Sequence, residues 1–113
     1  MTSLEAGDIV WVDFDPVLGT EQAGRRPAIV VTDREYNTLY PRSIVCPITR
    51  NSTPWPTKVL LPSGMTTRGA VLADQPRTVH RSLRVFRFIE RAPEGILADV
   101  RAIIGSLIGL DRI

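Results

Sequence analysis

Short runs of β-branched and aromatic residues recur along the chain before residue 93, and all but the last two are separated by segments that contain Pro or Gly. Such runs favour β-strands, because branched and aromatic side chains fit a pleated surface. Proline cannot supply the amide hydrogen of a strand ladder, so Pro47 inside the third run predicts a bulge or an edge strand. The predicted strands are residues 8–14, 28–32, 43–48, 57–61, 69–73, 77–79 and 85–89, with a turn at residues 37–42.

The C-terminal segment has a different period. Apolar residues recur there at spacings of three and four, which predicts an amphipathic helix that covers one side of the core. Pro93 suits the first helical position, and Gly109 lies near the helix end. The predicted fold class is therefore mainly β, a small antiparallel barrel or strongly curved sheet with a C-terminal helix. The apolar positions are Ile96, Leu97, Val100, Ile103, Ile104, Leu107 and Ile108.

Length and composition exclude several classes of protein. With 113 residues the chain is expected to form one domain, residues 1–113, with one modest core. The single Cys46 excludes an internal disulfide and a cysteine-based zinc site, and with one histidine, His80, no metal site or cofactor is expected. No secretory signal is recognisable, and the uncharged run at residues 102–110 is too short to span a bilayer, so a cytoplasmic location is expected.

The charges are dominated by arginine and are unevenly distributed. Thirteen of the fourteen basic residues are Arg, the exception being Lys58. Residues 1–40 hold three basic and seven acidic side chains, whereas residues 41–113 hold eleven basic and five acidic ones. Because a guanidinium matches phosphate oxygens in a bidentate manner, this pattern suggests a phosphate-bearing partner. The alternative is that the arginine content reflects the base composition of the genome.

Two loops and one basic tract are candidates for binding an anion. In residues 19–27, Arg25 and Arg26 precede Pro27, which restrains the backbone where the next strand begins. At the exit of the third strand, Thr49 and Arg50 introduce a polar loop. The alternative for both loops is a solvated turn. A basic tract follows, for which the alternatives are a track along a nucleic-acid backbone and a solvated face; it comprises Arg77, His80, Arg81, Arg84, Arg87 and Arg91.

The same segments resemble a known family. The chain is similar, over nearly its whole length and in the same order, to the MazF/PemK toxin family. The most specific part of the resemblance is the Gly-x-Glu-Gln-x-Gly-x-Arg-Pro string of residues 19–27. The matching segments are Gly7-Asp-Ile-Val-Trp-Val-Asp-Phe-Asp-Pro16, Gly19-Thr-Glu-Gln-Ala-Gly24, Arg26-Pro-Ala-Ile-Val-Val31, Tyr36-Asn37, Ile44-Val-Cys-Pro-Ile-Thr49, Val71-Leu-Ala-Asp-Gln75 and Arg77-Thr-Val79.

This resemblance implies the toxin of a type II toxin–antitoxin system, with an SH3-like barrel. Such toxins are homodimeric endoribonucleases that cut single-stranded RNA, chiefly mRNA, at short motifs without a metal. Attack by the 2′-hydroxyl leaves a 2′,3′-cyclic phosphate and a 5′-hydroxyl. The implied partner is a MazE-like antitoxin with a disordered C-terminal tail. The implied catalytic residues are Arg26, Thr49 and Glu21, and the expected RNA-binding residues are Thr20, Gln22, Arg25, Arg50, Gln75 and Arg77.

The chain departs from the family at a few positions, and the roles are partly open. Thr20 stands where many relatives have Ser, and His80 where they often have an acid. Arg26 suits stabilisation of the phosphorane, because arginine stays charged. The general base is open between Glu21, His80 and a water molecule. Trp55 is either a platform for an RNA base or an anchor for its loop.

Two other functions are compatible with a chain of this kind. One is a toxin of the same fold that poisons a protein target such as DNA gyrase, since a fold does not determine a function. The other is a non-catalytic RNA-binding barrel that uses the basic tract for backbone contacts alone. Neither alternative requires the combination of Arg26 and Thr49.

Overall fold

The computed structural model describes residues 4–14 and 24–112, apart from the side chains of Phe86 and Arg112. This region contains seven strands, and the longest helix follows them. The strands are β1 (Asp8–Asp13), β2 (Arg25–Val30), β3 (Arg42–Thr49), β4 (Lys58–Leu60), β5 (Ala70–Leu72), β6 (Arg77–His80) and β7 (Val85–Arg91). The helices are α1 (Arg34–Leu39), α2 (Arg81–Arg84) and α3 (Glu94–Leu107), followed by a 3₁₀ turn at Leu110–Arg112.

The strands pair antiparallel in the order β4-β5-β3-β2-β1-β7, and β6 also pairs with β3. The prediction of a mainly β fold with a C-terminal helix is thereby confirmed. The strand pairings within residues 4–14 and 24–112 form an open path rather than a closed ring, because none of them joins β4 to β7.

The central strands are buried on both faces. Ile9 of β1 belongs to one apolar cluster, which α3 covers with Ile96 and Val100. The neighbouring Val10 belongs to a second cluster on the opposite face, which also contains Val45. Since successive side chains of a strand point to opposite faces, burial on both sides explains why β1 to β3 read as continuous apolar runs.

Helix α3 lies where the amphipathic helix was predicted, but the last apolar residues of the predicted stripe are exposed rather than buried. Pro93 is the N-cap rather than the first helical residue, and Gly109 follows the helix with a positive φ of 81°. Leu107 and Ile108, which the periodicity predicted to face the core, are 55% and 67% exposed. None of the helices in the described part of the chain is long and apolar enough to cross a membrane.

Pro47 lies in an interior strand and in unshifted register with β2, so the prediction of a bulge or an edge was wrong. On one side β3 pairs with β2, including the pair Ala28–Pro47. On the other side β6 pairs with the first half of β3 up to Val45, and β5 pairs from Ile48 onwards. Pro47 therefore lies in the interval between two partner strands, where a missing amide hydrogen leaves no ladder bond unmade.

Helix α1 was missed by the sequence analysis, which predicted a turn at residues 37–42. The helix is short, and a buried polar contact fixes it. The Asn37 side-chain amide donates to the carbonyls of Leu4 (3.0 Å) and Thr32 (2.8 Å). Its oxygen accepts from the hydroxyls of Thr32 and Ser43, both at 2.6 Å. One buried side chain thus joins the N-terminal segment, α1 and β3.

Replacing Asn37 by Ala should lower the free energy of unfolding by about 3 kcal/mol, since it leaves several buried polar groups without partners. Urea denaturation measures this difference. Leu39→Ala, at a 67% exposed position of the same helix, is the matched control and should change stability by less than about 0.5 kcal/mol. Equal stabilities of the two variants would contradict a structural role for the Asn37 contacts.

Candidate active site

A cavity of about 510 Å³ lies at one end of the sheet, between β2 and β3. The β2 wall contributes Arg25, Arg26 and Pro27, and the β3 wall contributes Ile48 and Thr49, with Trp11 and Arg50 beside them. The structure therefore brings the two principal catalytic candidates, Arg26 and Thr49, to one cavity. Three arginines and one threonine around a single cleft are residue types suited to binding a phosphate.

Pro27 explains why the cavity lies where it does. The Val31 amide donates to the Ile44 carbonyl (2.9 Å), and alternation along an antiparallel ladder then directs the Pro27 nitrogen towards Ile48. Proline has no amide hydrogen, so this bond cannot form. The β2–β3 ladder accordingly ends at Ala28 and Pro47, and the cavity occupies the space beyond that pair.

The walls of the cavity are nevertheless held in place by their other neighbours. Strand β2 stays paired with β1 as far as Asp13 and Arg25, and β3 stays paired with β5 at Thr49 and Ala70. Continuing the β2–β3 register by two residues from the last pair puts Arg26 across from Thr49. The two side chains therefore approach one cleft from two separately supported strands.

The hydroxyl of Thr49 is oriented by the loop that follows it. Thr49 is 9% exposed, and its hydroxyl oxygen accepts a hydrogen bond from the Asn51 amide at 3.2 Å. Because the oxygen acts there as an acceptor, the hydroxyl hydrogen remains available to donate to an oxygen of a bound ligand.

Gly69 lies against the backbone of Thr49. A Cβ atom at position 69 would overlap the carbonyl oxygen of Thr49, and φ at Gly69 is 115°, a value that favours glycine. Only a residue without a side chain lets β5 approach the end of β3 this closely. Gly69 was not recognised as a site-supporting residue from the sequence, because an isolated Gly before a strand is also an ordinary turn signal.

The segment that precedes Gly69 is attached to β7 through Glu90. The carboxylate of Glu90 accepts from the amides of Thr66 (3.2 Å) and Thr67 (2.6 Å) and from the Thr67 hydroxyl (2.7 Å). Burial raises the pKa of Glu90, but these hydrogen bonds outweigh it and hold the pKa below its ordinary value of 4.5. The ionised Glu90 therefore helps to fix the chain that supports Thr49.

The remaining predicted residues are placed differently. Arg77 does not line the cavity: its guanidinium donates to the Phe14 carbonyl (3.1 Å) and lies over the Phe14 ring, 5.3 Å from the centroid. Gln75 also lies outside the cavity lining, and its backbone N–H donates to the Leu72 carbonyl. Thr20, Glu21 and Gln22 belong to residues 15–23 and lie outside the described residues.

His80 lies far from Thr49. It pairs with Arg42 at the opposite end of β3, about 23 Å from Thr49 at the usual rise per strand residue. Its ring nitrogen Nδ1 contacts the Ser82 hydroxyl at 3.1 Å, and it lines a different cavity, of about 830 Å³. His80 is therefore not a general base for an Arg26–Thr49 site of the same chain.

The basic tract makes several contacts within the protein. Arg81 donates to the Arg42 carbonyl (3.0 Å), Arg91 forms an ion pair with Asp8 (3.1 Å), and Arg87 lies over the Trp11 ring. These arginines support the fold around β7, which agrees better with a structural use of the tract than with a continuous track for RNA.

Comparisons with known proteins agree with the resemblance seen in the sequence. Residues 5–108 match the family described as PemK-like, MazF-like toxin of type II toxin–antitoxin system. The chain is 43% identical over 75 residues to the endoribonuclease toxin MazF of Escherichia coli K12, covering 66% of this chain and 67% of that protein.

Two solved structures have the same fold over nearly the whole chain. MazF (Form-I) of Deinococcus radiodurans has a TM-score of 0.89 and 38% identity, covering 95% of this chain and 97% of that one. A MazE–MazF structure (Form-II) from the same organism has a TM-score of 0.82 and 38% identity, covering 96% and 97%.

The Glu90 contacts predict a pH-dependent stability. Because the pKa of Glu90 is lower in the folded state than in the unfolded state, its stabilisation is fully present above about pH 4.5 and is lost as the pH falls through the lowered value. Glu90→Gln should therefore be less stable than the original protein by on the order of 1 kcal/mol above that range, and the difference should shrink in acid. Denaturation at several pH values measures it, with Glu35→Gln on α1 as the control. A difference that stays constant with pH would contradict the role of the carboxylate charge.

Proposed function

The chain belongs to the PemK-like, MazF-like toxin family of type II toxin–antitoxin systems, and from that premise we propose that Arg26 and Thr49 form the centre at which it cleaves RNA. Its activity is that of an endoribonuclease toxin, as the name of its 43% identical relative indicates. The observation that carries the proposal is the shared cavity, in which Arg26, Thr49 and two further arginines meet.

The chemistry that suits this cavity is attack of a ribose 2′-hydroxyl on the adjacent phosphorus. The new bond from the 2′-oxygen to phosphorus forms as the bond to the 5′-oxygen breaks; a base takes the 2′-hydroxyl proton and the leaving 5′-oxygen takes a proton from an acid or from water, giving a 2′,3′-cyclic phosphate and a 5′-hydroxyl. The phosphorane carries extra negative charge, which Arg26 is placed to stabilise. Thr49, with its hydroxyl hydrogen available, donates to a phosphate oxygen and keeps the group in line for attack.

Proton transfer requires a further group. Arginine stays protonated at neutral pH, so Arg26 acts through its charge and hydrogen bonds rather than as a base. With His80 at the far end of β3, Glu21 and a water molecule remain as the candidates for the group that accepts the 2′-hydroxyl proton.

The substrate and partners follow from the same proposal. The substrate is single-stranded RNA, chiefly mRNA, in which the ribose can rotate into line with the scissile bond. The cognate partner is an antitoxin, as in the MazE–MazF structure that shares this fold. A homodimer and a cytoplasmic location belong to the proposal as well. Poisoning of a protein target such as gyrase is disfavoured, because it gives no role to the cationic cavity.

Replacing Arg26 by Ala should lower the rate of RNA cleavage by about 100- to 1000-fold, the usual cost of losing one donor that stabilises transition-state charge. The initial rate on a labelled RNA measures this loss, and analysis of the fragment ends identifies the products. Circular dichroism should show an unchanged fold.

Arg34→Ala is the matched control, because it removes the same charge from an exposed ion pair with Glu5 outside the cavity. It should cleave RNA at nearly the original rate. Equal rates for Arg26→Ala and the original protein would refute the assignment of the site, and loss of activity in both variants would point to a general requirement for positive charge.

Cleavage should also be insensitive to chelation of divalent ions. Among the described residues, no three His, Cys, Asp or Glu side chains are grouped so as to hold a metal ion, and the proposed chemistry assigns charge stabilisation to arginine. The cleavage rate in the presence of excess EDTA measures this directly. A rate that falls with EDTA and returns when a divalent ion is added would overturn the metal-free mechanism.

A further inference from the structure

Trp55 is a large aromatic residue that the fold leaves in solvent. Its side chain is 66% exposed, so it does not anchor the loop by burial, which was one of the two roles predicted from the sequence. Its neighbours Pro54 and Pro56 are exposed as well. Tryptophan is enriched at binding interfaces, because its ring offers a large apolar face together with a polar N–H group.

The loop that carries Trp55 is fixed by hydrogen bonds rather than by packing. The ammonium group of Lys58 donates to the carbonyls of Asn51 and Thr53, each at 3.1 Å. The Lys58 amide donates to the Trp55 carbonyl at 3.0 Å, and the Asn51 side chain accepts from the Thr53 amide at 3.0 Å. Lys58, which follows Trp55, therefore holds the part of the loop that precedes the ring. A ligand that contacts the ring then loses little free energy in ordering the loop.

The same loop begins in the proposed active site. Asn51 bonds to the Thr49 hydroxyl, and Arg50, which follows Thr49, lines the cavity. Strand β4, where the loop ends, lies two strands from β3 through β5, and its first residue, Lys58, which bonds to Trp55, is about 12 Å from Thr49 by the strand spacing and register. This separation is too large for the scissile nucleotide and suits a neighbouring one.

The charge along the path from the cavity to Trp55 favours a polyanion. Residues 49–61 contain Arg50 and Lys58 but no acidic side chain. A cationic cleft followed by an exposed aromatic ring is the arrangement with which proteins bind single-stranded nucleic acid, the cations contacting phosphates and the ring stacking on a base.

We propose that Trp55 stacks on a base that flanks the cleavage position of the bound RNA, and that Lys58 is a positioning residue for it. The proposal rests on the proposed function, because it takes RNA to be the ligand of the Arg26–Thr49 cavity. It adds a binding subsite outside that cavity. Stacking accepts every base, so the subsite contributes affinity and fixes the path of the strand rather than selecting one base through its edges.

The test measures binding separately from cleavage. In an Arg26→Ala background, which preserves the RNA, fluorescence anisotropy gives the affinity for labelled ten-nucleotide single-stranded RNAs of mixed sequence. Trp55→Ala should weaken binding by about 5- to 150-fold, the usual effect of removing one stacked base, whereas Trp55→Phe should retain most of the affinity. Leu39→Ala, at another exposed apolar position, should bind as the background does.

Two further readouts separate stacking from a structural effect. Removing single bases from the RNA should weaken binding to the background protein at one flanking position, and this loss should disappear in Trp55→Ala. The salt dependence of binding should be unchanged in Trp55→Ala but shallower by about 0.7 of a unit of log–log slope in Arg50→Ala. Lys58→Met should weaken binding in the same direction as Trp55→Ala, with an unchanged fold.

Several results would overturn the proposal. Stacking would be excluded if Trp55→Ala bound RNA within about twofold of the background protein. It would also be excluded if removing single bases weakened binding to Trp55→Ala and to the background protein at the same positions. A Trp55→Ala effect confined to antitoxin binding, or to the oligomeric state in light scattering, would assign the ring to a protein interface instead. If RNA binding depends on Trp55 while Arg26→Ala cleaves normally, the subsite stands and the active-site assignment fails.

Discussion

Between β2 and β3 the hydrogen-bonded ladder stops at Ala28 and Pro47, because Pro27 has no amide hydrogen for the next bond. The cavity lined by Arg26 and Thr49 lies directly beyond this interruption. Each strand is still supported by its outer neighbour, β1 or β5, so the opening is local and its walls keep a defined geometry. This combination is what preorganisation of a phosphate site requires.

The positions of the strands could be predicted from the sequence, because β-branched runs and prolines are local signals. The same signals place Arg26 and Thr49 at strand boundaries, but it was the resemblance to the toxin family that singled them out as candidate site residues. Helix α1 could not be predicted in this way, because Asn37 specifies it through contacts with Ser43 of β3 and with Leu4, which is 33 residues away in the chain. Pro47 was misplaced for a related reason, as its tolerance depends on where β5 and β6 end, which no local pattern reveals.

The residues that support the site were the hardest to foresee. Gly69 is needed because Thr49 approaches it from another strand, and Glu90 is needed because its carboxylate meets two backbone amides across the fold. A glycine or a glutamate in the sequence does not by itself indicate which distant backbone it will contact. The two cavities show the same limitation, since His80 and Arg81 looked similar in the sequence to Arg25 and Arg26 but line the other cavity.

Burial of the central strands on both faces also has an evolutionary consequence. The side chains of Ile29 and Cys46 are fully buried. Substitutions there are therefore restricted to side chains of similar volume. The thiol of Cys46 also has low reactivity, because burial, aided by the charge of Asp74, raises its pKa to about 12 and keeps it protonated. Divergence among proteins built on this frame must therefore concentrate in the loops, where Trp55 and the residues around the cleft can change while the sheet that positions them stays the same.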